Sequence, residues 1–155
     1  MVQREGGSRP VLTEILAEDE AQLQELMKEN PDLLPIEEFG MTGPLMVVGR
    51  ETTLPSGAVD LIGISRSGDL LPIEYKAGPQ NSDFRHVLAK LLDYGSDLWR
   101  MSYKEFESTI SRRYFSSDRC HDLRLRGKGA PDEAALANWP DLSEEEVELF
   151  RDRLT

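Results

Sequence analysis

With 155 residues the chain has room for one domain of ordinary size. Its 39% hydrophobic and 30% charged content supplies a packed core and excludes a disordered polymer. No apolar run nears the ~20 residues of a membrane span, and a formal charge of −11 argues against a protein whose whole surface lies on nucleic acid. The opening MVQREGGSRP lacks the apolar centre of a secretory signal, and the single cysteine, Cys120, has no internal partner for a disulfide. A cytoplasmic location is therefore expected. The basic residues are 13 Arg and 5 Lys, and they are unevenly spread. Residues 112–128 form one basic island, with Arg112, Arg113, Arg119, Arg124, Arg126 and Lys128, between acidic flanks.

Residues 1–12 read as a flexible leader. A helix follows, clear from Glu18 to about Asn30, where Pro31 ends it. Thr13 caps a longer version, or Asp19 a shorter one with Gln22 as its reciprocal partner. Leu16, Leu23, Leu26 and Met27 give its apolar stripe, and Glu20 sits on that stripe. Three strands are predicted next, Leu45–Thr53, Ala58–Ser65 and Leu70–Ala77, the last apolar enough to be central. The turn sequence Arg66-Ser67-Gly68-Asp69 joins the second and third as an antiparallel hairpin. Gly78-Pro79 breaks the chain. A helix is predicted from about Asp83 to Trp99, with Phe84, Val87, Leu88, Leu91, Leu92 and Leu98 in helical period, and another from about Tyr103 to Tyr114. Residues 116–142 read as irregular. Ser143-Glu144-Glu145-Glu146 opens a last helix with a capping box.

Chemistry concentrates at the hairpin. Side chains alternate faces along a strand, so Glu74 and Lys76 point the same way, and Asp60 can lie beside Glu74 across the hairpin. Glu20 can cap the same spot. Three carboxylates packed together are unfavourable without a compensating cation. Carboxylate and carbonyl oxygens suit a hard one such as Mg²⁺ or Mn²⁺, and a nearby lysine can orient water or stabilise developing negative charge. Such a set suits phosphodiester hydrolysis.

Asp60, thirteen intervening residues, then Glu74-Tyr75-Lys76, resembles the PD-(D/E)XK nuclease superfamily. Val59 stands where the family name has proline. The segment Glu20-Ala21-Gln22-Leu23-Gln24 with Glu29-Asn30-Pro31-Asp32-Leu33-Leu34 resembles the acid-bearing helix of RecB-like and NucS/EndoMS-like members. Arg85 to Tyr94 looks like the helix with the Gln-x-x-x-Tyr motif, with Lys90 in place of glutamine. The resemblance spans about residues 14–115. It implies an α/β, restriction-endonuclease-like core, a small mixed sheet flanked by helices. It also implies a domain at 13–115, with 116–155 as an irregular basic segment and C-terminal helix. Glu20, Asp60, Glu74 and the Tyr75 carbonyl would hold Mg²⁺ or Mn²⁺, Lys76 would position the attacking water, and Arg85, Lys90 and Tyr94 would line a phosphate path on DNA. The family's fourth strand after this second helix has no counterpart. The chain is thus expected to be the front of a longer protein or a member that lost or exchanged that strand, and an unpaired sheet edge invites a homodimer.

Blander readings stand beside these. Glu74 and Lys76 also fit an exposed edge-strand pair, Glu20 a surface residue with Asp19 as the acid instead, and Tyr94 the core. Arg85 can pair with Asp83 or Asp93. The basic island, Arg112 and Arg113 included, serves either as a phosphate-binding loop or as the answer to acidic helices. Trp99 and Trp139 read as core or interface anchors. Cys120-His121 has poor geometry for zinc. The function expected is a metal-dependent deoxyribonuclease; the alternative is an inactive nucleic-acid-binding or protein-assembly module on the same fold.

Overall fold

The computed structural model describes residues 20–41, 44–76 and 84–154, and of residues 20, 21, 23, 24, 28 and 32 the backbone alone. The leader, the Thr13 and Asp19 caps, Leu16 and the 77–83 break lie outside the described residues. Helix α1 spans Glu20–Glu29 and gives way to short 3-10 turns at Pro31–Leu33 and Ile36–Phe39. Pro31 at the first position of its turn cannot extend α1, since it has no N–H for the ladder. Met27 packs against the core, whereas Leu26 of the expected stripe is half exposed. Among the described residues no helix is long and apolar enough to cross a membrane.

Strands β1 (Met46–Leu54), β2 (Gly57–Ile64) and β3 (Leu70–Ile73) form a three-stranded sheet in the order β1-β2-β3. Both pairings are antiparallel, so the small sheet is not mixed among the described residues. The sheet flanked by helices is otherwise the expected α/β arrangement. The central strand is β2, not the third one. Val59, Leu61, Ile62 and Ile64 are fully buried, while every residue of β3 is only partly so. Short β-hairpin connections order the strands as they occur in sequence, which puts the third at a rim. Its Pro72 pairs with Ile62. A proline cannot complete a hydrogen-bonded pair, so this is a non-hydrogen-bonded one and the nitrogen faces the open side. In β1 the register shifts between Val47 and Gly49, and Glu51 has a left-handed φ of 45°.

The β2–β3 turn is bonded by Ser65 N–H to the Asp69 carbonyl (2.9 Å) and Gly68 N–H to the Ser65 carbonyl (3.0 Å). Gly68 has φ 89°, and a Cβ there would come within 2.8 Å of the Phe150 carbonyl oxygen. That backbone belongs to helix α6 (Glu144–Arg153), which grips the turn further through Arg153 with Asp69 (2.9 Å). Arg66, within the turn, pairs with Asp141 (2.8 Å) just ahead of α6. Ser143 caps α6 by the predicted box, its side chain accepting from the Glu146 N–H while the Glu146 carboxylate accepts from the Ser143 N–H.

Helix α2 (Phe84–Trp99) buries Tyr94 and Leu98 and packs Leu91 on the core. Phe84, Leu88 and Leu92, which the periodicity also places on its apolar face, are exposed, as is Trp99 (90%), so Trp99 is not a core anchor. Trp139 is buried against Phe150. The third predicted helix is α3 (Tyr103–Phe106), a π-helical turn (Glu107–Ser111) and α4 (Arg112–Phe115) in succession. The π turn shows as the Arg112 N–H donating five residues back to Glu107. The stretch 116–142 is not irregular throughout: α5 (Pro131–Asn138) lies within it. Proline at a first helical turn with Asp132 and Glu133 beside it is a start signal, masked by a short segment with no apolar stripe. Cys120, Leu125, Ala134, Ala135, Phe150 and Leu154 share one core with the sheet.

Candidate functional site

The β2–β3 register (Leu61 with Ile73, Ile62 with Pro72, Gly63 with Leu71, Ile64 with Leu70) continued by one pair sets Asp60 opposite Glu74. The regular ladder ends at Ile73, so Glu74, Tyr75 and Lys76 follow β3 and are not within it as predicted. The cause is local. The Tyr75 N–H donates to Asp60 Oδ2 at 2.9 Å, so a side chain takes a donor that a longer ladder would use. Asp60 thereby closes the end of the hairpin and holds the Glu74-Tyr75-Lys76 segment beside itself.

Glu74 is the buried member, with its side chain 3% exposed. Two ammonium groups meet one of its oxygens: Lys90 Nζ lies 2.6 Å and Lys76 Nζ 3.4 Å from Oε1. The other oxygen, Oε2, is buried without a hydrogen-bond partner among the described residues. Lys90 comes from α2 and Lys76 from the chain just past Glu74, so two separate elements deliver the cations. The hydrogen bond to Glu74 holds the Lys90 ammonium above the ordinary lysine range, against an opposing pull from partial burial. Lys90 Nζ also lies 5.8 Å from the centre of the Tyr94 ring, one turn along the same helix.

Tyr94 fixes α2 at this spot. It is fully buried, and its hydroxyl donates to the Ala58 carbonyl at 2.6 Å. Asp97, three residues on, accepts from the Ser56 N–H at 2.8 Å in the β1–β2 turn. Helical spacing then carries Lys90 over the end of the hairpin. This places Tyr94 in the core, where it anchors the helix. The Tyr75 side chain is buried too, and burial, with the Asp60 charge adding to it, pushes its phenol up to about 12 while Arg50 pulls it back.

The other predicted site residues stand apart from this cluster or beyond description. Glu20 opens α1, but its side chain lies outside the described residues. Arg85 is exposed in the first turn of α2. Arg112 pairs with Glu107 and donates to the Gly129 carbonyl, while Arg113 is exposed and lines a cleft with Arg50, Thr109, Tyr114 and Arg119. Much of the basic island answers the chain's own acids: Arg119 pairs with Glu51, Arg124 with Asp122, Arg126 with Asp118 and Lys128 with Glu133. These pairs favour the structural reading of the island.

Glu51 is a residue that the sequence pattern passes over. It lies on β1 between the pairs Arg50–Leu61 and Thr52–Val59, and is therefore level with Asp60. Its left-handed backbone and its ion pair to Arg119 (3.1 Å) set it apart from a regular strand residue. Nothing in residue type or spacing announces a left-handed glutamate inside a strand.

Among the described residues no group of three or more His, Cys, Asp and Glu side chains is arranged to hold a metal ion. Two carboxylates with a buried oxygen lacking a donor nevertheless fit part of a hard-cation site, because such an oxygen is costly unless something positive meets it. No family model, no curated protein and no solved structure matches this chain.

Proposed function

We propose that this chain is a metal-dependent nuclease domain with a restriction-endonuclease-like core, hydrolysing DNA phosphodiester bonds. One observation carries the reading: Asp60, Glu74 and Lys76 meet at the end of one hairpin, with Glu74 buried and its Oε2 lacking a donor among the described residues. In this reading Asp60, Glu74, the Tyr75 carbonyl and Glu20 hold Mg²⁺ or Mn²⁺. A bound divalent cation supplies charge for a phosphate oxygen and acidifies water. Lys76, with its side chain 29% exposed, orients the attacking water or neutralises charge building on the phosphoryl oxygens. Asp60 keeps the Glu74–Lys76 segment in place through the Tyr75 N–H. Lys90 and the exposed Arg85 lie on α2, the helix along which the DNA backbone passes.

The test is a cleavage assay on single-stranded, branched and duplex DNA with Mg²⁺ or Mn²⁺. Activity lost in both Lys76→Ala and Asp60→Ala supports the assignment, and activity that survives both ends it.

A second reading, an inactive nucleic-acid-binding or protein-assembly module, has its own support. The formal charges of Asp60, Glu74, Lys76 and Lys90 cancel, so these four groups are balanced without a metal ion. It predicts no cleavage and no stabilisation by divalent cations.

A further inference from the structure

The two lysines do not share Glu74 equally. Lys90 makes the shorter contact, from a helix locked in place by Tyr94 and Asp97, and both lysines sit on Oε1. We infer that Lys90 serves the site as a tethered counter-ion that competes with a divalent cation for Glu74, so that divalent binding is weak until Lys90 is displaced. The inference deepens the nuclease reading and rests on it.

The argument is electrostatic. Two carboxylates alone give the end of the hairpin a charge of −2. Lys76 halves that charge, and Lys90 cancels it. A divalent ion brought to Asp60 and Glu74 meets the Lys90 ammonium within a few ångströms, and in a half-buried place water screens that repulsion poorly. The Lys90 side chain is 33% exposed. It therefore has room to leave Oε1 for solvent, and the buried Glu74 carboxylate does not. Movement of the lysine is the cheaper way to admit the ion. Lys90→Gln removes the charge and, although one atom shorter than lysine, still turns an N–H donor toward Glu74. Arginine keeps the charge.

The experiment is a titration of the full chain with Mn²⁺, read by calorimetry and by the shift in melting temperature. The proteins are the wild type, Lys90→Gln, Lys90→Arg, and each of these with Asp60→Asn. Metal-free melting and circular dichroism show that each variant is folded. Lys90→Gln is expected to bind Mn²⁺ about tenfold more tightly or better, as removal of one like charge near a divalent ion predicts. Lys90→Arg stays as weak as the wild type, and Asp60→Asn abolishes the gain. Equal, Asp60-dependent binding by wild type and Lys90→Gln overturns the counter-ion and leaves the metal site standing. Weaker binding by Lys90→Gln also overturns it, and makes Lys90 a group that orients Glu74. No Asp60-dependent binding in any variant removes the metal site and the counter-ion together.

Discussion

The Tyr94 hydroxyl donates to the Ala58 carbonyl at 2.6 Å, which joins the middle of α2 to the start of β2 at a fully buried position. Tyr94→Phe keeps the ring and leaves that carbonyl without its donor. It is expected to cost about 1–2 kcal/mol, the usual penalty for a stranded buried acceptor. Urea denaturation checks this, with a lower midpoint at unchanged slope.

Asp60 acts on the backbone as well as through its charge. In Asp60→Ala the Tyr75 N–H loses its acceptor. Its hydrogen exchange should accelerate strongly, while amides in the Leu61–Ile64 part of β2 keep their protection. Exchange measured residue by residue decides the matter, and equal protection of Tyr75 in both proteins would contradict the contact.

Gly68→Ala is expected to destabilise by about 1–3 kcal/mol, because it adds a side chain at left-handed φ and drives a Cβ into backbone that cannot swing aside. The damage should extend to the α6 contact with Asp69 as well as the turn. Thermal melting of the variant measures it. A change within experimental error would mean that α6 yields to the added methyl.

Acid should loosen α6 through its cap. The Ser143 backbone N–H, and after it the Ser143 hydroxyl, hold the Glu146 carboxyl below the usual carboxylate range. A depressed folded value gives stability that is present above about pH 4.5 and lost as pH falls through the folded value. Glu146→Ala should therefore be less stable than wild type at pH 7, with the gap closing below about pH 4. Denaturation at a series of pH values tests the sign.

Alkali acts in the opposite sense. Burial raises the phenols of Tyr75, Tyr103 and Tyr114, that of Tyr75 to about 12. A raised folded value keeps its stability below the unfolded value of about 10 and loses it as pH climbs through the folded one. Stability should fall between about pH 10 and 12, with tyrosine ionisation seen at 295 nm late and together with unfolding. Early, gradual ionisation of these tyrosines in the folded protein would contradict it.

The meeting of Asp60 with Glu74 is legible in the sequence because a hairpin turn fixes register, and register fixes which side chains are neighbours. The approach of Lys90 to Glu74 is not legible, since it depends on how α2 docks, and that is set by a tyrosine–carbonyl bond between segments 36 residues apart. Periodicity likewise marks α2 as amphipathic without telling which of its leucines turn inward; Leu91 and Leu98 do, Leu88 and Leu92 do not. Helix α5 escapes for a related reason. Its buried residues are two alanines and a proline, which carry little apolar signal, and only its proline and acidic first turn betray it. The end of β3 at Ile73 is a contest between a ladder and a side chain, which propensity does not weigh.

The rims of the sheet bear on how copies of the molecule can meet. Along β3, Pro72 offers an incoming strand a ring carbon where a donor is needed. Along β1, the left-handed turn of the chain at Glu51 throws the outer row of polar groups out of line. Both features disfavour strand addition at those positions, so copies that pair edge to edge would have to do so away from Pro72 and Glu51.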